Sequence, residues 1–365
     1  NSLVKATESD PMFATAWINL GSAYNKYGKQ IEAEICTRKA IELNPSLVDA
    51  HYNLGIILDD LGRFEEAAKY WEKAVELNPE DEKSVLALAN YLFNKGKYEL
   101  ELNYLSKIKS ITCQILYLGC LLSLDREKDF NKTYIELYKK RACNACFGGI
   151  VEHANIIYGQ KYDSSFCNQA INYVLIDRIN EKEFPENELN QLISYNKSSK
   201  KEDRAQGLLT NGIQTSGNLF LLNYSFIKSI KKALEKKIEI YKQKFKNSGQ
   251  GFINNWPANY ELRSWMISMK SGGFLKPHNH EYGWITGSFY LQIPIYNNIE
   301  GNSGQIAFSY QGPSYPNKNK NFNLTIKKIE VRDICIFPSS LFHHTIPFES
   351  NEERICFVFD LIKTK

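Results

Sequence analysis

Two stretches of this chain repeat one pattern at a fixed distance, and that periodicity restricts the fold more than any other feature. The stretch "AWINLGSAYNKYGKQIEAEICTRKAIELNP" carries Trp17, Leu20, Gly21, Tyr24, Ala33, Ala40 and Pro45. Thirty-four residues on, "AHYNLGIILDDLGRFEEAAKYWEKAVELNP" carries His51, Leu54, Gly55, Leu58, Ala67, Ala74 and Pro79 at the same offsets. Such a period is the length of one helix–turn–helix unit, which cannot bury its apolar face alone and must stack on its neighbours. Small residues at Gly21 and Ala33 let the two helices of a unit approach closely, and Pro45 ends the second helix before the next unit begins. His51 stands where the first unit has Trp17 and reads as a helix-packing residue.

These units resemble the tetratricopeptide repeat (TPR). A third unit, around Leu88, Ala89, Gly96 and Tyr98, agrees less well. A fourth, more degenerate, begins at "LYLGCLLSL", residues 116–124, as expected where an array caps itself. Ala6 and Pro11 lie one period before Ala40 and Pro45, so "LVKATESDP" reads as the tail of an earlier unit, and the chain as starting inside a longer array. The resemblance implies a concave face that binds a protein or peptide segment.

At 365 residues the chain is long enough for two or three domains, and 43% hydrophobic with 24% charged residues is ordinary for a globular protein. A net charge of +4 gives no reason to expect nucleic acid as a partner, and no apolar run is long enough to span a membrane. The eight cysteines have no framework spacing, which suits reduced thiols in a cytoplasmic protein. The one close pair, Cys143 and Cys146, reads as helix packing.

The middle of the chain is helical but irregular. "NKSSKKEDR", residues 196–204, reads as an exposed loop, and "LLTNGIQTSGNLF", residues 208–220, as a turn-rich connection. The next segment places Ile227, Ile230, Leu234, Ile238, Tyr241 and Phe245 on one helical stripe. Between residues 226 and 250, eight Lys stand against two Glu, which predicts a solvated basic face beside that stripe.

After residue 255 the texture changes to short β-forming runs punctuated by Gly, Pro and Asn, which predicts some eight strands in a sandwich or jelly roll. His278 and His280 precede one such run, His343 follows 63 residues after His280, and Arg354 opens the last strand eleven residues beyond His343. Residues i and i+2 of a strand point to one side, so a His-x-His pair supplies two adjacent metal ligands and a distal strand a third. An Arg near such a site offers bidentate pairing to a carboxylate.

Residues from about 208 to 362 resemble the 2-oxoglutarate/Fe(II) oxygenases fused behind TPR arrays, a branch of the prolyl-hydroxylase-like group. The stretches that carry the resemblance are "NGIQTSGNLF", "PHNHEYGWITGSFYLQIP", "FPSSLFHHTIPF" and "ERICFVFDL". It implies that His278 and His343 are the first and last iron ligands and that Arg354 binds the distal carboxylate of 2-oxoglutarate. The second ligand is usually Asp or Glu, whereas here it is His280, and Glu281 faces the other side of a regular strand. A three-histidine site of His278, His280 and His343 is the expectation, with Glu281 replacing His280 through a local bulge as the alternative. A histidine in place of the carboxylate adds one positive charge to the site. Tyr290, Ser288 and Gln292 share a strand face from which one could hydrogen-bond 2-oxoglutarate. His344 is a rim or supporting residue, Trp265 and Trp284 read as core packing with a place at the substrate mouth as the other reading, and Asp333 is a turn residue.

The expected architecture is multi-domain α + β: an N-terminal α-helical TPR solenoid over 1–150 (clear to about 109), a helical or irregular connector over 151–222, and a double-stranded β-helix (jelly roll) with supporting helices over 223–365. The expected function is an Fe(II)- and 2-oxoglutarate-dependent dioxygenase that uses O2 to hydroxylate a protein or peptide recruited by the repeats. Two other readings stay open: a TPR adaptor whose jelly roll only binds a metal or ligand, and a three-histidine dioxygenase that does not use 2-oxoglutarate.

Overall fold

The computed structural model describes residues 2–198, 203–294 and 301–364. They form two compact units, one of residues 2–124, 203–207 and 216–218, the other of residues 125–198, 208–215, 219–294 and 301–364. Part of the loop expected over 196–204 lies outside the described residues.

The first unit is an antiparallel helical array. Helices Ala14–Lys26 and Gln30–Leu43 make one hairpin, Val48–Asp60 and Phe64–Leu77 the next, and Glu82–Asn94 with Tyr98–Leu105 a third, followed by Ile111–Ser123. The small residues act as the sequence predicts. A Cβ on Gly21 would lie 2.5 Å from Thr37 Oγ1 and 3.1 Å from the Ala33 carbonyl oxygen, and one on Gly55 would overlap the Trp71 indole. Pro45 and Pro79 force the residue before them out of the helical region, and Asn44 and Asn78 are both extended, at φ −146° and −143°. The turns inside the hairpins also repeat: Gly28, Gly62 and Gly96, each 34 residues apart, all have positive φ, at 79°, 77° and 68°. That shared geometry makes the third hairpin a true member of the array despite its divergent sequence. His51 is buried, its Nε2 lies 2.8 Å from the Pro45 carbonyl oxygen, and its ring stacks on Tyr70.

The second unit is built on two antiparallel sheets. The larger one orders the strands Leu175–Arg178, Asp333–Pro338, Ile285–Gln292, Arg354–Lys363, Tyr260–Leu275 and Leu209–Thr215, and the smaller orders Thr325–Lys327, Ile306–Ser309 and Phe342–Thr345. Helix Ser225–Phe245 buries Ile227, Ile230, Leu234, Ile238 and Tyr241, the predicted stripe. Its basic face is not wholly solvated: Lys237 turns inward and pairs with Asp177 at 3.0 Å and Glu183 at 3.3 Å, because a buried ammonium needs carboxylate partners. The segment expected as a turn-rich connection is partly a strand, Leu209–Thr215. Pairing along strand Tyr260–Leu275 overrides local propensity, and the Gly and Asn of the segment serve a bulge where Asn211 takes φ 46°.

Register divides the larger sheet into two chemically distinct faces. Arg354, Cys356, Val358 and Asp360 lie opposite Met269, Ile267, Trp265 and Arg263, and Cys356, Val358 and Asp360 lie opposite Tyr290, Ser288 and Thr286. Their alternates point the other way, where Phe289 meets Phe184 and Phe357 meets Phe220. One face therefore joins the helical layer and the other carries the polar side chains.

Candidate metal centre

His278 and His343 sit on facing backbone segments joined by two hydrogen bonds: His278 N to the His343 carbonyl at 3.1 Å and His343 N to the His278 carbonyl at 2.9 Å. His280 N donates to the Ser339 carbonyl at 3.0 Å, which ties the second histidine to the turn before strand Phe342–Thr345. Three rings are thereby brought together, with centroids 4.3 Å apart for His278 and His343 and 5.2 Å for each of them to His280. One potential ligand atom from each lies within 4.8 Å of the others.

The outer nitrogens determine which atoms face inward. His278 Nδ1 lies 2.8 Å from the Lys276 carbonyl oxygen, His343 Nδ1 lies 3.2 Å from that of Leu341, and His280 Nδ1 lies 2.8 Å from both carboxylate oxygens of Asp360. These acceptors cannot donate, so each Nδ1 carries the proton and each Nε2 presents a lone pair. Although His278 keeps some accessible surface, protein packs closely round its ring. That burial, reinforced by His280, pushes its pKa down to about 3, and burial pushes that of His343 well below its ordinary value. Both rings are neutral at physiological pH and need lose no proton to bind a cation.

Glu281 lies outside the cluster of ligand atoms, and burial raises its carboxyl pKa. His344 faces away from the triad, as alternation with His343 requires, and pairs across to Ala307 in the smaller sheet. Trp265 stacks on His280, at 5.8 Å and 18° between rings, and is half-buried beside the triad, whereas Trp284 is a core residue that donates from Nε1 to the Phe252 carbonyl at 2.7 Å. Asp333 closes a turn through Glu330 N.

Deeper on the same face, Arg354 is 2% exposed. Its Nε donates to the Gly304 carbonyl at 2.9 Å, and its guanidinium lies 5.1 Å from the Tyr290 ring centroid. The Tyr290 hydroxyl is buried beside the Arg354 guanidinium, and among the described residues no carboxylate pairs with Arg354. Ser288 lies beside them on the same strand face, at 8% exposure. Gln292 does not: a bulge between Ile355 and Cys356 breaks the alternation, and its Nε2 donates to the Glu353 carbonyl at 2.9 Å.

Comparison with known families agrees with this division of the chain. Residues 14–47 and 48–81 each match a tetratricopeptide-repeat family, and residues 263–360 match the family described as "Putative 2OG-Fe(II) oxygenase". One chain carries TPR repeats and a 2OG-Fe(II) oxygenase-family domain. Among solved structures the helical part is similar to YrrB, described as a TPR protein with an unusual peptide-binding site, at 19% identity and TM-score 0.38 over 45% of this chain and 87% of that one. It is also similar to MamA, at 18% identity and TM-score 0.32 over 38% and 81%. No curated protein matches the chain significantly.

The second compact unit contains two features that spacing alone does not reveal. Asp360, behind His280, is the first. Its signal was present in "RICFVFD", where it is the one acidic residue and lies an even number of positions from Arg354, hence on the same face. The second is helix Ala145–Tyr158, whose Gly148 and Gly149 lie against the ligand-bearing loops. A Cβ on Gly149 would lie 2.8 Å from Asn279 Nδ2 and 3.0 Å from the Ser340 carbonyl oxygen. The donor set fits a divalent cation, since three imidazoles converge with a carboxylate behind one of them. A buried guanidinium with no carboxylate partner among the described residues, beside the buried Tyr290 hydroxyl, fits an organic acid with a remote carboxylate.

Proposed function

We propose that this protein is an Fe(II)- and 2-oxoglutarate-dependent dioxygenase that hydroxylates a protein or peptide segment recruited by its TPR array. The observation that carries the reading is the convergence of His278, His280 and His343 with every Nδ1 engaged behind them. Fe(II) held there, with 2-oxoglutarate and O2, supplies oxidative decarboxylation of the cosubstrate coupled to insertion of oxygen into a C–H bond.

The chain's own residues then have separate tasks. His278, His280 and His343 would hold the metal through their Nε2 atoms. Arg354 pairs with the distal carboxylate of 2-oxoglutarate, and Tyr290 and Ser288 offer hydroxyls along the length of the cosubstrate. Trp265, stacked on His280 and half-buried, borders the site where a substrate must arrive. The peptide binds the concave face of the repeats. All eight cysteines are free thiols, which supports a cytoplasmic setting, and among the described residues no helix is long and apolar enough to cross a membrane.

The test needs no knowledge of the substrate. The apo protein is loaded anaerobically with Fe(II), 2-oxoglutarate is added, and the visible charge-transfer band of the chelate is recorded before O2 is admitted and succinate assayed. The expected result is a band followed by slow succinate release, with both lost in His343→Ala. Bound Fe(II) with no band in the wild type would overturn the reading in favour of an adaptor or an oxygenase that does not use 2-oxoglutarate.

A further inference from the structure

The three histidines are not held alike. His278 and His343 rest their outer nitrogens on neutral main-chain carbonyls, whereas His280 alone rests on a carboxylate, with both oxygens of Asp360 at 2.8 Å from Nδ1. That carboxylate is itself a hub. Thr286 Oγ1 donates to Asp360 Oδ1 at 2.7 Å, which leaves Thr286 to accept from Ser339 Oγ at 2.7 Å. Ser339 also accepts the backbone N–H of His280 through its carbonyl, so Ser339, Thr286, Asp360 and His280 close a ring. Thr286 and Ser339 are fully buried and Asp360 is 8% exposed. Gly283, whose Cβ would lie 2.5 Å from Ser339 Oγ, lets the loop after His280 settle directly on this ring.

The charge is what requires explanation. Among the described residues the one ion-pair partner of Asp360 is His280; Arg263, opposite it across the sheet, is more than half exposed and pairs with Glu261 at 3.4 Å instead. A buried carboxylate served by one hydroxyl and an imidazole is costly unless a cation lies within reach. The point where the three Nε2 atoms converge, on the far side of the His280 ring, is a place for one.

We infer that Asp360 supplies the anionic charge that the ligand set lacks, delivering it to the metal through His280 and fixing the orientation of that ring. The inference rests on the metal-binding reading of the triad. It makes Asp360 a positioning residue: it touches neither metal nor substrate. Three neutral histidines and one aspartate leave the same net charge as two histidines and a directly bound carboxylate. The carboxylate has moved one imidazole outward rather than disappeared. The arrangement also explains why the His280 position tolerates a histidine, since the ring spans the gap between Asp360 and the metal.

The test uses the full chain and Co(II) as a spectroscopic probe. Wild type, Asp360→Asn and Asp360→Glu are compared by Co(II) affinity, by the visible d–d spectrum, and by melting temperature with and without metal. Asp360→Asn keeps an acceptor for Nδ1 and removes the charge. Its Co(II) affinity is expected to fall by about 10–100-fold with a shifted d–d spectrum. The metal-free protein should melt within a few degrees of wild type or above it, because the uncompensated charge is gone. Asp360→Glu, which restores the charge, is expected to recover part of the affinity. Wild-type Co(II) affinity and spectrum in Asp360→Asn would overturn the inference, as would a loss of metal-free stability with unchanged affinity. If Asp360→Asn does not fold, Thr286→Val removes a hydroxyl that holds Asp360 and keeps the carboxylate; it should weaken Co(II) less, in the same direction, and wild-type affinity there would overturn the inference. No Co(II) uptake by wild type would remove the metal reading itself and this inference with it.

Discussion

Arg354 shows what a single residue contributes here. It is buried to 2% exposure, and its guanidinium is held by the Gly304 carbonyl with no carboxylate among the described residues. Desolvating a cation without an anion is expensive, so the site is built for an anion that arrives from outside. Arg354→Ala is expected to weaken 2-oxoglutarate binding by on the order of 100-fold or more, since a buried charge-assisted pair is worth several kcal/mol when one partner is truncated. Metal affinity should stay near wild type, because Arg354 lies apart from the triad. Arg354→Lys keeps the charge but not the planar fork and should fall between the two. Titration of the chelate band with 2-oxoglutarate at saturating Fe(II) checks all three. Unchanged cosubstrate affinity in Arg354→Ala would remove Arg354 from the pocket. The grouping of His278, His280 and His343 was legible because histidine is scarce in this chain, although the first two lie in the loop before strand Ile285–Gln292 and not on a strand. Asp360 was not read, because its partner His280 lies eighty residues away and only the strand register brings them together.

At the scale of elements, glycine does what no other residue could at a few contacts. Helix Ala145–Tyr158 brings Gly148 and Gly149 against Ser340 and Asn279, the residue between His278 and His280. Gly149→Ala would add a methyl group 2.8 Å from Asn279 Nδ2 and 3.0 Å from the Ser340 carbonyl oxygen. The side chain of Asn279 can move, but the backbone of Ser340 cannot do so without disturbing the turn that anchors His280. Overpacking of this kind costs about 1–3 kcal/mol. A lower melting temperature and weaker Co(II) binding are expected together. A melting temperature lowered with metal affinity intact would mean that the helix supports the fold but not the triad. The helical repeats were readable from the sequence because their small residues recur at one period, and the strand runs because β-formers cluster between turn residues. Leu209–Thr215 was read as a connection because its Gly and Asn signal a turn. What makes it a strand is pairing with Tyr260–Leu275, a tertiary fact that local composition does not carry.

For the molecule as a whole, the response to pH exposes two buried groups outside the metal centre that pull in opposite directions. Glu152 and His153 are neighbours on helix Ala145–Tyr158. Burial raises the Glu152 carboxyl to a pKa of about 7, against the Gln169 N–H that stabilises its anion, and lowers the His153 imidazole to about 4, against the carbonyls of Pro316 and Tyr310. The folded protein therefore binds more protons at Glu152 than the unfolded chain between about pH 4.5 and 7, so this residue's contribution is fully present below that window and is lost as pH rises through it. For His153 the folded state binds fewer protons between about pH 4 and 6.5, so its contribution is present above that window and is lost as pH falls through it. Each is worth roughly 3 kcal/mol at most, from a shift of about 2.5 pH units. The pH dependences of these two groups oppose each other and nearly cancel near pH 5.5. Glu152→Gln separates them: it keeps an acceptor for the Gln169 N–H and cannot ionise. Chemical denaturation of the metal-free protein from pH 4 to 8 should show the variant gaining on wild type by up to about 3 kcal/mol between pH 4.5 and 7, with a constant difference outside that range. A difference that does not change with pH would mean that Glu152 ionises as freely in the folded protein as in the unfolded chain.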